Sequence, residues 1–277
     1  MKKVTFLILA VFFSFLNSSA QNGGKAGTNT QAPQIGSTKW SLDPFEHAIF
    51  VENKGQFDTV LPGVQIFFEA QLGAADAYFT ANGILYKHIE TEKLDFSKGD
   101  PDQNGPPERD FYYLTTQWQG ASSNTTVEAA DELSYYYTYP KGTHDSYIAN
   151  VFKKITYHNI YPGIDITYSF PEGSKDLEYT IIVHPGADLS KVQLKYIGAS
   201  GMHVDGEGNV LVNNDIGKLI ETAPVGYYQE DHTPVTIIAH ASNPIESFTT
   251  NNPDASKTLV IDPTITWTTN PAFTGGA

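Results

Sequence analysis

Residues 155–196 read ITYHNIYPGIDITYSFPEGSKDLEYTIIVHPGADLSKVQLKY. Ile164, Ile166, Tyr168 and Phe170 alternate with Asp165, Thr167 and Ser169, which is the period of a strand with one face buried. Leu177, Tyr179, Ile181 and Val183 repeat the pattern, and the turn-rich residues Pro171 to Asp176 join the two runs into a predicted hairpin. Pro162-Gly163 and Pro185-Gly186 bracket it. Proline presets φ near −65° and glycine accepts positive φ, so each pair suits the centre of a type II turn. The stretch is scaffold and carries no evident chemistry.

Working outward, the same signals recur at short spacing. His47 to Val51 and Val64 to Phe68 read as strands, separated by Asn53-Lys54-Gly55 and Leu61-Pro62-Gly63. Asp76 to Thr80 and Ile84 to Ile89 flank Ala81-Asn82-Gly83, whose Asn-Gly pair signals a hairpin. Further strands are expected at Phe111 to Trp118, Leu133 to Tyr139, Asn150 to Tyr157, Val210 to Val212, Lys218 to Glu221, Tyr227 to Glu230, Val235 to Ala239, Leu259 to Asp262 and Ile265 to Thr268. No window has a convincing amphipathic helix longer than two turns. The expected fold is therefore all-β: an antiparallel β-sandwich of many short strands over 45–268, or two packed β lobes at 45–140 and 141–268.

The strings FVENKGQ (50–56), FTANGILY (79–86), NIYPGIDITYSF (159–170), DLEYTIIVHPGADLSKVQLKYIGAS (176–200), ETAPVGYYQ (221–229) and LVIDPTITW (259–267) closely resemble an uncharacterised all-β module. That module is found at the N-terminus of large secreted proteins of gliding-type Gram-negative bacteria, often ahead of SBBP-type propeller repeats, PKD or Ig-like domains and a sorting tail. The resemblance runs in order from about residue 45 to residue 267. It implies an all-β fold, an extracellular or cell-surface location and further domains downstream, and it lends no catalytic residues.

Composition narrows the function classes. Lys2 and Lys3, the apolar run from Val4 to Leu16 and the small residues Ser18-Ser19-Ala20 form a predicted signal peptide over 1–20, leaving Gln21 first after cleavage. Residues 21–44, rich in Gly, Asn, Thr and Gln, are expected to be a flexible leader, and 269–277 to begin a linker or the next region. With no cysteine among 277 residues, disulfides, lipidation at cysteine and thiol catalysis are excluded, so stability rests on core burial. Removing Lys2 and Lys3 from the 17 basic residues leaves 15 against 31 acidic ones, a balance of −16. Such a chain repels phosphate backbones and anionic membrane surfaces and favours calcium or cationic surfaces. No membrane span is expected after signal cleavage.

The candidates for chemistry each have a plainer reading. Asp100, Asp102 and Asn104, with Gly105, match the first half of a calcium loop. Phe111 stands where the twelfth-position Glu belongs and Pro106-Pro107 stiffens the middle, so a simple acidic loop over Thr91 to Asp110 is the alternative. Calcium is the one cofactor considered. Asp205, Glu207 and Asn209 read as a β-turn, because glycines interrupt them. His144-Asp145-Ser146 contains the residue types of a hydrolase triad, but adjacent side chains diverge and cannot meet. Neither G-x-S-x-G nor H-E-x-x-H occurs. Trp118, Tyr135, Tyr137 and Trp267 are candidates for stacking on sugar rings if exposed, with cross-strand core packing as the alternative. The expected function is a non-catalytic structural or interaction module for adhesion, assembly or presentation of downstream domains. A carbohydrate-binding module is the second reading, and a hydrolase with two carboxylates assembled by the fold is the third.

Overall fold

The computed structural model describes residues 48–73, 75–89, 111–215 and 217–269. The predicted signal peptide and leader, the acidic loop with Asp100, Asp102 and Asn104, and residues 270–277 lie outside the described residues. The chain divides into two units, one formed by Met1–Phe45 with Asp95–Pro107 and the other by Glu46–Leu94 with Glu108–Ala277. All described residues belong to the second, which is built of antiparallel strands.

The hairpin at the centre of the sequence forms as expected. Strand β8 (Ile164–Ser169) pairs with β9 (Leu177–Val183) from Ile164 opposite Val183 to Ser169 opposite Glu178. The alternating residues of both strands are buried on one side. Gly163 and Gly186 adopt φ of 72° and 80°, and the Ala187 N–H donates to the His184 carbonyl across the second turn. Upstream lie β1 (Phe50–Glu52), β2 (Ile66–Leu72), β3 (Ala75–Thr80), β4 (Gly83–Ile89), β5 (Phe111–Trp118), β6 (Thr126–Lys141) and β7 (Asp145–Tyr161). Downstream follow a single 3₁₀ turn (Leu189–Lys191), β10 (Gln193–Ile197), β11 (Gly201–Val204), β12 (Val210–Asn213), β13 (Gly217–Glu221), β14 (Val225–Tyr228), β15 (Pro234–Val235), β16 (Ile237–Ser242), β17 (Ile245–Thr250), β18 (Leu259–Asp262) and β19 (Thr264–Thr269).

Register shows how these strands make two walls. Phe152 and Lys154 of β7 both face β6 across one edge, so β1, at Val151–Phe152, and β8, at Lys154–Tyr161, share the other edge end to end. From β1 the second wall runs through β2, β3, β4, β5, β10 and β17 to β16. From β8 the first wall runs through β9, which β18 and β19 divide between them. Beyond β19 come β13, β12 and β11, and beyond β18 come β14 and β15. The two faces of the expected sandwich are thus opposed walls of one barrel-like sheet. It is nearly closed: β16 and β11 come side by side, and among the described residues no ladder joins them.

The inward positions of both walls form the main core, including Phe50, Phe79, Trp118, Tyr157, Tyr168, Tyr179 and Tyr196. Trp118 meets Tyr179 edge-on at 5.7 Å, and Phe79 meets Tyr168 at 5.2 Å. These offset and edge contacts are the favoured geometry for rings that carry a quadrupole. A smaller cluster covers the opposite side of β1 to β4, where Tyr78, Leu85 and Val51 pack with Phe57, Tyr137 and Tyr139.

Strands β6 and β7 run well beyond Leu133 to Tyr139 and Asn150 to Tyr157. Pairing from Thr126 opposite His158 to Lys141 opposite Asp145 carries them through charged residues that break the alternation. Tertiary pairing has overridden local pattern. Gly83 also differs from the expected Asn-Gly turn, for its φ is not positive. What demands glycine is proximity: a Cβ there would stand 1.9 Å from the Thr116 carbonyl oxygen. Gly83→Ala is therefore expected to lower stability by about 1–3 kcal/mol, as overpacking does. Gly206→Ala, where a Cβ meets nothing within 4 Å, should change it by less than about 0.5 kcal/mol; urea unfolding of both variants is the check.

Candidate functional site

The densest chemistry lies between the walls. Glu221 ends β13 on the same side as Leu219, and Glu246 sits in β17 on the same side as Phe248, so strand parity drives both acids inward. Each is 1% exposed. The Tyr179 hydroxyl donates to Glu221 Oε2 at 2.6 Å. The Tyr196 hydroxyl lies between Glu221 Oε1 and Glu246 Oε2, 2.9 Å from the latter. A hydroxyl has one proton to give. With both Glu221 oxygens accepting from tyrosines, the second contact of Tyr196 requires a proton on Glu246. Burial, reinforced by the charge of Glu221, holds Glu246 well above the usual carboxylate range. Burial also raises Glu221, opposed by the hydroxyls of Tyr179 and Tyr196. The pair is a carboxylate facing a carboxylic acid in a buried site.

Other buried polar groups join the walls around it. The Trp118 indole N–H donates to the Tyr168 hydroxyl at 2.9 Å. The Tyr157 hydroxyl donates to the Thr80 carbonyl at 2.7 Å. Burial first, then the nearby Tyr168 and Glu221, pushes the Tyr86 phenol well above its ordinary value.

A second acidic pair lies on the other side of the second wall. Glu69 and Asp76 stand close on β2 and β3, and burial first, then Asp76, pushes Glu69 up to about 8. On the outer side of the first wall, Asp165 accepts from His184 Nε2 at 2.9 Å and from the Asn159 N–H at 2.7 Å. His158 lies 3.6 Å from Asp165 through Nδ1 and 3.0 Å from Glu128 through Nε2. Burial works to raise Asp165, and the bonds from His184 and Asn159 outweigh it, so its carboxyl sits below the usual range. Among the described residues no group of three or more His, Asp or Glu is placed to hold a metal ion.

Two clefts of about 280 and 510 Å³ open on either side of the Gly186–Ser190 loop, against Phe248 and Pro253 on one side and Tyr161 and Gln119 on the other. Neither is lined by Glu221 or Glu246. The two acids that the fold brings together are sealed from both.

The residues picked for sugar stacking separate. Trp118 is 1% exposed, with its N–H already bonded inside the core, so it is corrected from platform to core residue. Trp267 turns inward as well, stacking on Tyr86 at 6.1 Å and on His88 at 6.0 Å. Tyr137 packs beneath the smaller cluster, while Tyr135 is exposed and meets Tyr137 edge-on. No flat row of rings results. The cross-strand alternative fits Trp118, Trp267 and Tyr137.

The plainer readings of two motifs match the geometry. Asp145 accepts the Ser146 N–H at the end of the β6–β7 hairpin. Asp205 accepts from the backbone N–H groups of Glu207 and Asn209, closing the β11–β12 turn. The sequence reading passed over Glu221 and Glu246. Their one available signal is an acid at the inward parity of a strand whose other inward residue is apolar, Leu219 in one case and Phe248 in the other.

This is a nearly closed, acid-centred all-β module. The family model for a domain of unknown function, DUF7948, matches residues 50–264, and the chain belongs to that family. No curated protein and no solved structure matches it. Among the described residues no helix is long and apolar enough to cross a membrane.

Tyr179→Phe removes a donor from the charged Glu221. Hydrogen bonds to charged groups contribute about 1.5–3 kcal/mol, so urea unfolding near neutral pH should show a loss of that size.

Proposed function

We propose that the chain is a non-catalytic, folded module of an exported surface protein, acting in adhesion, assembly or presentation of the domains that follow it. The observation that carries this reading is the use made of Glu221 and Glu246. A pair of carboxyls working on a glycoside or peptide must face a cleft that admits substrate. Here they face Tyr179 and Tyr196, and their hydrogen bonds are used to join strands within and between the walls. The resemblance to the N-terminal modules of gliding-type bacterial surface proteins supports the same reading. So do the leader sequence, which suits export through a cleaved signal, and the acidic balance, which favours cationic surfaces or calcium as partners.

The test is to express the chain ahead of a reporter domain in a gliding-type Gram-negative host and to compare it with a form lacking 46–269. The reading expects a mature chain starting at Gln21, a reporter displayed on the cell surface and loss of display when the module is removed. Turnover of a glycan or peptide panel by the purified module, abolished in Glu221→Gln, would overturn it in favour of a hydrolase. Glycan-array signals lost in Tyr135→Ala would favour the carbohydrate-binding reading instead.

A further inference from the structure

The acid pair has a particular place in the topology. Glu246 lies on β17, next to the final strand β16 of the second wall, and Glu221 lies on β13, in the arm of the first wall that ends at β11. These two arms meet where β16 and β11 lie side by side and, among the described residues, no ladder joins them. Elsewhere along the strand order, backbone hydrogen bonds hold neighbour to neighbour. Near the seam the arms are held by apolar packing, which places Met202 against the core with Ala239 and Ala241, and by the bond from Tyr196 to Glu221, which crosses between the walls while Tyr196 also meets Glu246 on its own wall.

We propose that Glu221 and Glu246 form a proton-operated clasp: with one proton between them they hold the β16 and β11 arms together, and loss of that proton frees the seam. The bridge needs the proton by simple counting, since the single hydroxyl of Tyr196 stands between two carboxyl oxygens. Without it two negative charges face each other in a buried site, where like charges repel more strongly than in water. The titratable groups facing the pair are Tyr179 from β9, Tyr196 from β10, Tyr168 from β8 and Tyr86 from β4. All four are phenols with raised values, so they remain neutral while the acid titrates.

The sign follows from linkage. A carboxyl whose folded-state value is raised contributes stability that is whole below its unfolded value, about 4.3, and is lost as pH rises toward the folded value. Glu246 is therefore expected to weaken the fold on the alkaline side. Burial also raises Glu69, Asp76 and Glu178, so a change in overall stability cannot single out the clasp, whereas its location can.

The experiment is hydrogen exchange at individual amides of the whole chain, at about pH 6 and about pH 9.5. Protection of Gly201–Val204 and Ile237–Ser242 is expressed relative to that of Ile164–Ser169 and Leu177–Val183, so that intrinsic exchange rates largely cancel. The wild type is expected to lose relative protection at the two seam strands by about tenfold or more on going to the higher pH. Glu246→Gln keeps the size and a donor without a titrating proton, and its seam should change less than about threefold. A wild-type ratio that does not move, or an equal loss in Glu246→Gln, would overturn the clasp. If that variant does not fold, the wild-type ratio alone decides.

Discussion

Two walls of sheet facing each other across a packed core must be fixed in register, or one slides over the other. Apolar contact alone fixes them poorly, because it has little direction. In this chain the fixing is done by buried polar groups that reach from wall to wall. The Trp118 indole meets the Tyr168 hydroxyl, and the Tyr196 hydroxyl meets the Glu221 carboxylate, which also accepts from Tyr179 on its own wall. The Tyr196 hydroxyl also meets Glu246, on its own wall. Each side chain combines a large buried body with one polar tip that must find its partner at a set place. A chain without cysteine has no disulfide to do this. The tyrosine-rich composition, which from sequence suggested either surface platforms or packing, is here chiefly a source of directional bonds inside the core.

The walls were legible in the sequence because each inward position repeats every second residue. The β8–β9 hairpin stands out from alternation and from its Pro-Gly turns, and Gly163 and Gly186 adopt the positive φ that those turns require. What the sequence left hidden has the same physical origin. Glu246 occupies the inward position that alternation assigns to an apolar residue, so β17 loses its pattern at the very residue that makes it interesting. Trp118 and Trp267 look alike in sequence, as large amphipathic rings at the ends of strands. Only the opposite wall, with Tyr168 for one and Tyr86 for the other, determines that both turn inward. The branching of both walls from one edge of β7 depends on pairings more than ninety residues apart, such as Phe50 with Phe152, and no local pattern carries that.

The placement of acids bears on what the module does. Of the acids in the described residues, Glu221 and Glu246 are the most deeply buried, and they are spent on bonds that join strands. The others lie nearer the outside, where they contribute to a strongly negative charge. Inside, the shared proton reduces the pair to a single charge, which the hydroxyls of Tyr179 and Tyr196 meet. Outside, charge is free to repel polyanions and to meet cations. A packed interior under an acidic surface supports the proposed role in presenting other domains, and the two clefts that flank the Gly186–Ser190 loop are lined by neither Glu221 nor Glu246.

The most direct measurement of wall-to-wall bonding is a double-mutant cycle between Trp118→Phe and Tyr168→Phe, by urea unfolding at neutral pH. Residues in one buried hydrogen bond couple by about 0.5–3 kcal/mol, whereas independent sites add to within about 0.5 kcal/mol. The account predicts that the second substitution costs clearly less once the first is present, with a coupling inside the higher range. Additive losses would show that the two residues contribute by packing alone, and the claim that directional bonds set the register of the walls would fail.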